Sequence, residues 1–228
     1  TVYSQLKEQP RTSTGNFWHK KIYPHQIWLD GLYMAQPFYM QYEAEYNGCK
    51  NCEDSYQQFL QVYGRMRDPL NGLYYHAYDD SRQMFWCDKV TGLSENFWLR
   101  AMGWYAMALI DTMEVMPESM ACQKARLNAI YKELIDAMLP YQDQATGMWY
   151  QVVNRGGIAP NYLEESGSAI FAYAIMKSVR LHYLPEEYFK YGQKAFDGIC
   201  STYLSEKDGS LQLGGICLVA GLGNTDMR

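Results

Sequence analysis

No stretch of the 228 residues stays apolar for the roughly 18 to 20 positions a bilayer-spanning helix needs, and the opening TVYSQLKEQPRT lacks the apolar core of a signal peptide. A helical membrane span and a membrane partner are therefore not expected. Charge is equally mild: 20 Lys and Arg against 25 Asp and Glu give a net charge of −5, and the cations are scattered. Without a basic stripe there is no nucleic-acid footprint, so an anionic ligand must be held by local cations. Cysteine is sparse as well. Cys49, Cys52, Cys87, Cys122, Cys200 and Cys217 are too few for a disulfide scaffold. Cys49 and Cys52 form a C-x-x-C that fits a redox pair or half a zinc site, but no second pair or nearby His completes a four-ligand set. The G-x-S-x-G, Walker and H-E-x-x-H patterns are missing, which argues against the usual acyl-transfer, nucleotide and zinc-protease chemistries.

The excess lies in aromatic residues, 15% of the chain with 21 Tyr and 6 Trp. Aromatic faces stack on the C–H faces of sugar rings, so a carbohydrate cleft fits this composition, although core packing accounts for most such residues. Apolar residues recur at helical spacing over 27–46, 52–67, 95–115, 118–139, 162–183 and 186–204, which predicts six helices in three pairs. Between and after the pairs lie DPLNGLYYHAYDD, DQATGMWYQVVN and EKDGSLQLGG, each passing a Gly (Gly72, Gly147, Gly209) into a short strand-like run. The first helices resemble one another: Trp28-Leu29 returns as Trp98-Leu99 roughly 70 residues later. A helix hairpin repeated at that period is the signature of stacked units that bury their faces on their neighbours. The expected fold is thus all-α, an (α/α)6 toroid represented by three hairpins, an incomplete ring forming one domain over 1–228. Thr1 lacks a helix start signal and GLGNTDMR stops in a Gly-rich loop, so a truncated chain is expected.

Few side chains stand out chemically. Asp30 lies within the apolar run IWLDGLYM, with Tyr33 and Met34 on the same helix face. Apolar surroundings favour its neutral acid, as a general acid requires, whereas a helix N-terminus favours the anion. Trp98, Arg100 and Trp104 form W-x-R-x-x-x-W, in which Arg100 and Trp104 share a face. The guanidinium can lie near an indole and keep its fork for a carboxylate, or its stem can simply cover the aromatic core. His19 and His76 sit in aromatic-rich loops, and Asp79 and Asp80 add carboxylates that either serve the site or organise a solvated turn.

Four motifs, FWHKKIYPHQIWLDGLYM, GLYYHAYDD, FWLRAMGWYAMAL and YLEESGSAIFAYAI, together resemble glycoside hydrolase family 105, the unsaturated rhamnogalacturonyl hydrolases, from about Arg11 to Gly223. That resemblance implies an (α/α)6 barrel and a bacterial enzyme acting on a 4,5-unsaturated uronyl oligosaccharide derived from pectin. It makes Asp30 the general acid/base and places His19, Trp28, His76, Trp98, Arg100 and Trp104 around the uronate, with Tyr33 and Met34 beside them. No cofactor or metal is implied. The family's second active-site Asp would lie upstream of Thr1, and its C-terminal hairpin beyond Arg228. Competing readings are an unsaturated glucuronyl hydrolase, another (α/α)6 sugar enzyme, or a non-catalytic sugar-binding remnant. The compartment, bacterial cytoplasm or periplasm, stays open.

Overall fold

A computed structural model describes residues 2–219, 221 and 222, so most of the Gly-rich close of the sequence, 223–228, lies outside the described residues. The six predicted helices all form. They are α2 (Leu29–Tyr46), α3 (Cys52–Met66), α4 (Leu99–Val115), α5 (Ala121–Met138), α6 (Glu165–Arg180) and α7 (Phe189–Tyr203), and they pair as α2/α3, α4/α5 and α6/α7. Within one layer α2 packs on α4 and α4 on α6, while α3, α5 and α7 back them. Leu29, Met40, Phe59, Met102, Tyr105, Leu109, Tyr131, Phe171 and Ile175 belong to the continuous apolar core of the molecule. A further short helix, α1 (Val2–Lys7), escaped the periodicity reading because it spans barely two turns. It is tied down by Tyr3, whose hydroxyl donates to the buried carboxylate of Glu43, itself bonded to Asn47 and Asn51. Cys49 and Cys52 are disulfide-bonded across the turn from α2 to α3.

The three front helices start later than their apolar patterns, for one shared reason. The residues before them, Trp28, Trp98 and Glu164, are extended. The first helical N–H of each then donates to a connector carbonyl rather than within the helix: Leu29 to His76 at 3.1 Å, Leu99 to Gln151 at 2.9 Å, Glu165 to Gly215 at 3.0 Å. In the first unit this contact grows into a small antiparallel sheet of β1 (Gln26–Trp28) and β2 (Ala77–Asp79). These bonds satisfy donors that a helix N-terminus leaves open. They also fix a register in which Asp30, Arg100 and Ser166 are the second residues of three neighbouring helices.

The connectors are built on a recurrent Asp-x-x-x-Gly loop. Asp68, Asp88 and Asp143 each accept backbone N–H groups of their own turn and close it through the amide of Gly72, Gly92 or Gly147, at φ between +76° and +80°. Gly209 is different: it turns the hairpin between β3 (Leu204–Lys207) and β4 (Ser210–Leu213).

Candidate active site

Burial along α4 shows which side of the front layer is open. Eleven of the 17 residues of that helix are buried, and the half-open positions Arg100, Trp104, Met107 and Asp111 recur at helical spacing as one stripe. On α2 the corresponding stripe begins at Asp30 and continues through Tyr33 and Met34, and on α6 it begins at Ser166. Three polar side chains of different chemistry therefore stand at one end of one open face.

Asp30 is 17% exposed and its Oδ2 lies 3.1 Å from Nε2 of His76, which is 3% exposed. The pair is enclosed by rings. His76 meets the edge of Trp28 at 5.1 Å and lies 4.8 Å from Trp98, while His19 and Tyr23 stack nearly parallel to Trp28 at 4.6 and 5.2 Å. Burial is the largest influence on Asp30 and pushes its pKa up. The charge and hydrogen bond of His76, joined by His19, outweigh it and hold the carboxyl below its ordinary range. The sequence-based expectation of an acid raised by apolar neighbours is thus corrected: those neighbours are present, but a histidine lies among them. His19 is lowered as well, to about 4, here by burial, and is neutral near pH 7.

Arg100 departs from its expected setting. The indole beneath its guanidinium is Trp98, at 4.8 Å, rather than Trp104 one turn along. Its Nη1 donates to Ser166 Oγ at 3.0 Å and to the carbonyl of Cys217, which draws the head toward α6. Trp104 instead packs on Tyr33 at 5.1 Å, and Met34 is 60% exposed beside them. Asp79 proves to be a turn organiser, fully buried and accepting from Ser81, Gln83 and Met84, and Asp80 is bonded to Ser13. Further along the open face Lys177 pairs with Asp111 at 2.8 Å and Glu114 at 2.5 Å. A wide groove of about 1480 Å³ runs along α6 and α7 and touches none of these site residues, whereas a cavity of about 170 Å³ is bordered by His19, Trp28, Gly31 and Met34.

The structure thus brings Asp30, His76, His19, Trp28 and Trp98 into one cluster, with Arg100 adjoining it on α4. Sequence reasoning missed Ser166 and Glu164, and also the closeness of His76 to Asp30. The repeat register was the available signal, since Ser166 follows Glu164 as Asp30 follows Trp28 and Arg100 follows Trp98.

Comparison with known proteins places the chain. It matches Glycosyl Hydrolase Family 88 over residues 1–227. A solved glycoside hydrolase of family 105 from C. acetobutylicum is 46% identical and superimposes with a TM-score of 0.93, covering 100% of this chain and 63% of its own. The 24.9 kDa protein in the picA locus of Rhizobium radiobacter is 37% identical over 198 residues, 85% of this chain and 83% of that protein. The unsaturated rhamnogalacturonyl hydrolase YesR of Bacillus subtilis is 29% identical over 212 residues, 90% of this chain and 55% of YesR. The chain thus spans less than two thirds of the length of the C. acetobutylicum enzyme and of YesR. The toroid architecture read from the repeat is that of these relatives, and the chain belongs to Glycosyl Hydrolase Family 88, in the company of family 105.

Proposed function

We propose that this chain carries the acid–base centre of an unsaturated uronyl hydrolase, with a rhamnogalacturonan-derived oligosaccharide ending in a 4,5-unsaturated uronic acid as its substrate. The observation that carries the reading is the juxtaposition of an Asp30–His76 pair with a guanidinium at the equivalent position of the next helix. One group moves a proton and the other matches a carboxylate, the two demands that an unsaturated uronide makes. The choice of rhamnogalacturonan rests on the likeness to YesR and on the four sequence motifs.

The C4=C5 double bond of the substrate is a vinyl ether, conjugated with the uronate carboxyl. Protonated Asp30 donates to C4, and the ring oxygen stabilises the positive charge at C5. Water adds to C5 and returns its proton to the same carboxylate, which restores the acid. The hemiketal formed then opens and releases the neighbouring sugar. One carboxyl group serves both steps, so the paired carboxylates of ordinary glycosidases are not required. In this scheme Trp28, Trp98 and His19 wall the reacting ring, Tyr33, Met34 and Trp104 border it, and His76 orients Asp30.

The test monitors the ultraviolet absorbance of the double bond with an unsaturated galacturonyl-rhamnose disaccharide. Hydration abolishes it before or as the sugar leaves, while direct hydrolysis at the anomeric carbon frees the sugar with the double bond still in place, to be lost only later as the released ring opens to an enol and ketonises. Asp30→Asn lowers turnover by ~10² to 10⁴-fold with little change in affinity, the usual range for losing an acid–base group. Undiminished turnover in that variant assigns the proton to another residue, and release of sugar with the absorbance intact rejects hydration.

A further inference from the structure

The motif YLEESGSAIFAYAI has no role in the scheme above, yet its first turn touches Arg100. Glu164 is fully buried, and its carboxylate gathers the amides of Ser166 and Gly167 as the cap of α6. Its Oε1 also accepts the Ser166 hydroxyl at 2.6 Å and the Cys217 amide at 2.9 Å. Both of those groups in turn receive Arg100: Ser166 through Oγ, and Cys217 through its carbonyl. A guanidinium only donates, so the Ser166 hydroxyl must present a lone pair to Arg100 and turn its own proton to Glu164. The backbone of Cys217 is held likewise, its N–H on Glu164 and its C=O, in the next peptide unit, on the guanidinium. Trp98 supports the planar group from below at 4.8 Å.

From this we infer that Glu164 and Ser166 are positioning residues: they fix the guanidinium of Arg100 in the orientation that receives the carboxylate of a uronate. The inference rests on the reading of Arg100 as the uronate clamp, and goes beyond it by assigning the third member of the repeat-equivalent set Asp30, Arg100, Ser166. A flexible cation must surrender rotational freedom to bind a planar anion, and an arginine already held on its far edge has less to lose. The arrangement also accounts for Gly167, where a Cβ would meet Leu99 Cγ at 2.5 Å and Glu164 Oε2 at 3.0 Å. A side chain there would push the cap out of place.

The experiment measures by calorimetry the affinity of the full chain for an unsaturated galacturonyl-rhamnose disaccharide and for its methyl ester, which keeps the sugar and loses the charge. Every protein carries Asp30→Asn, so that the ligand is bound but not consumed, and that background serves as the wild type of the comparison. Ser166→Ala removes the acceptor while the amide of residue 166 stays on Glu164. It weakens binding of the acid about fivefold to tenfold, the worth of one positioning hydrogen bond, and leaves the ester unaffected. Ser166→Thr, which keeps the hydroxyl, restores the acid. Added to Arg100→Lys, Ser166→Ala brings no further loss. Equal weakening of acid and ester, or a further loss in the Arg100→Lys background, reduces Ser166 to a structural part and overturns the proposal. Wild-type protein that favours the acid, with Ser166→Ala unchanged, overturns the positioning role and leaves the clamp standing. If the wild type does not favour the acid over the ester, the clamp fails, and the positioning role with it.

Discussion

At the scale of single residues, the chemistry turns on how one carboxyl group is surrounded. Asp30 shows that burial among aromatic rings does not by itself make a neutral acid: the histidines within hydrogen-bonding and Coulomb range pull harder than desolvation pushes. The resting state is therefore the carboxylate, and the protonated fraction that delivers a proton to C4 grows as pH falls. This fixes the sign of the pH dependence. If proton transfer limits the rate, activity declines as pH rises through a pKa held below the ordinary Asp range. His76→Gln keeps an N–H donor near the position of Nε2 but cannot carry a charge, so the Coulombic part of the depressing influence is lost and the pKa of Asp30 rises. The descending limb of the pH–rate profile moves to higher pH in that variant, as measured by disappearance of the double-bond absorbance. An unmoved or acid-shifted limb would show that the limb belongs to another group.

At the scale of elements, the front layer owes its close approach to missing side chains as much as to apolar ones. Gly103 on α4 faces Ile170 of α6, and a Cβ there would come within 2.9 Å of Ile170 Cγ2 and 3.3 Å of its Cβ. Ile170 is branched and held between helices, so it yields poorly. Gly103→Ala gains helix propensity but loses more through overpacking, with a net destabilisation of about 1 kcal/mol or more expected in a denaturant melt. A stabilised variant would mean that α6 can shift at no cost. The same elements show what periodicity could and could not disclose. The six long helices were legible because each buries a wide face over three turns or more. The starts of the three front helices were misjudged because Trp28, Trp98 and Glu164 are as apolar or as helix-tolerant as the residues after them, while their backbones are held extended by partners on distant connectors. The Asp-x-x-x-Gly loop at Asp88 was overlooked because it is the second such loop of one connector and lies past the DPLNGLYYHAYDD run. The link between Asp30 and His76 joins the first turn of α2 to the connector after α3, so spacing alone could not show it. Motif resemblance did bring both residues to one site, but not the hydrogen bond that sets the charge on Asp30.

At the scale of the whole molecule, three hairpins behave as one body because α4 stands between the other two front helices. Both α2 and α6 lean on it, and its buried face runs from Leu99 to Met113 without interruption apart from the open stripe. In stacked-repeat architectures stability is close to a sum of unit and interface contributions, so loss of the central unit withdraws a neighbour from each flank at once. Leu109 is 0% exposed in the middle of that helix. Leu109→Ala leaves a cavity there and costs roughly 2 to 5 kcal/mol, the range for large-to-small changes in a core. The expected signature is spatial as well as energetic. In native-state hydrogen exchange, amides of α2 and of α6 should lose protection by similar amounts, since both elements depend on the same face. An alanine at the exposed Met34, by contrast, should change stability by no more than about 0.5 kcal/mol, because little is unpacked. If Leu109→Ala accelerates exchange in α6 and α7 while α2 keeps its wild-type protection, the hairpins open separately. The end of the open face that carries Asp30 would then be held by the α2/α3 pair and its strand connector alone, independently of the helix that carries Arg100.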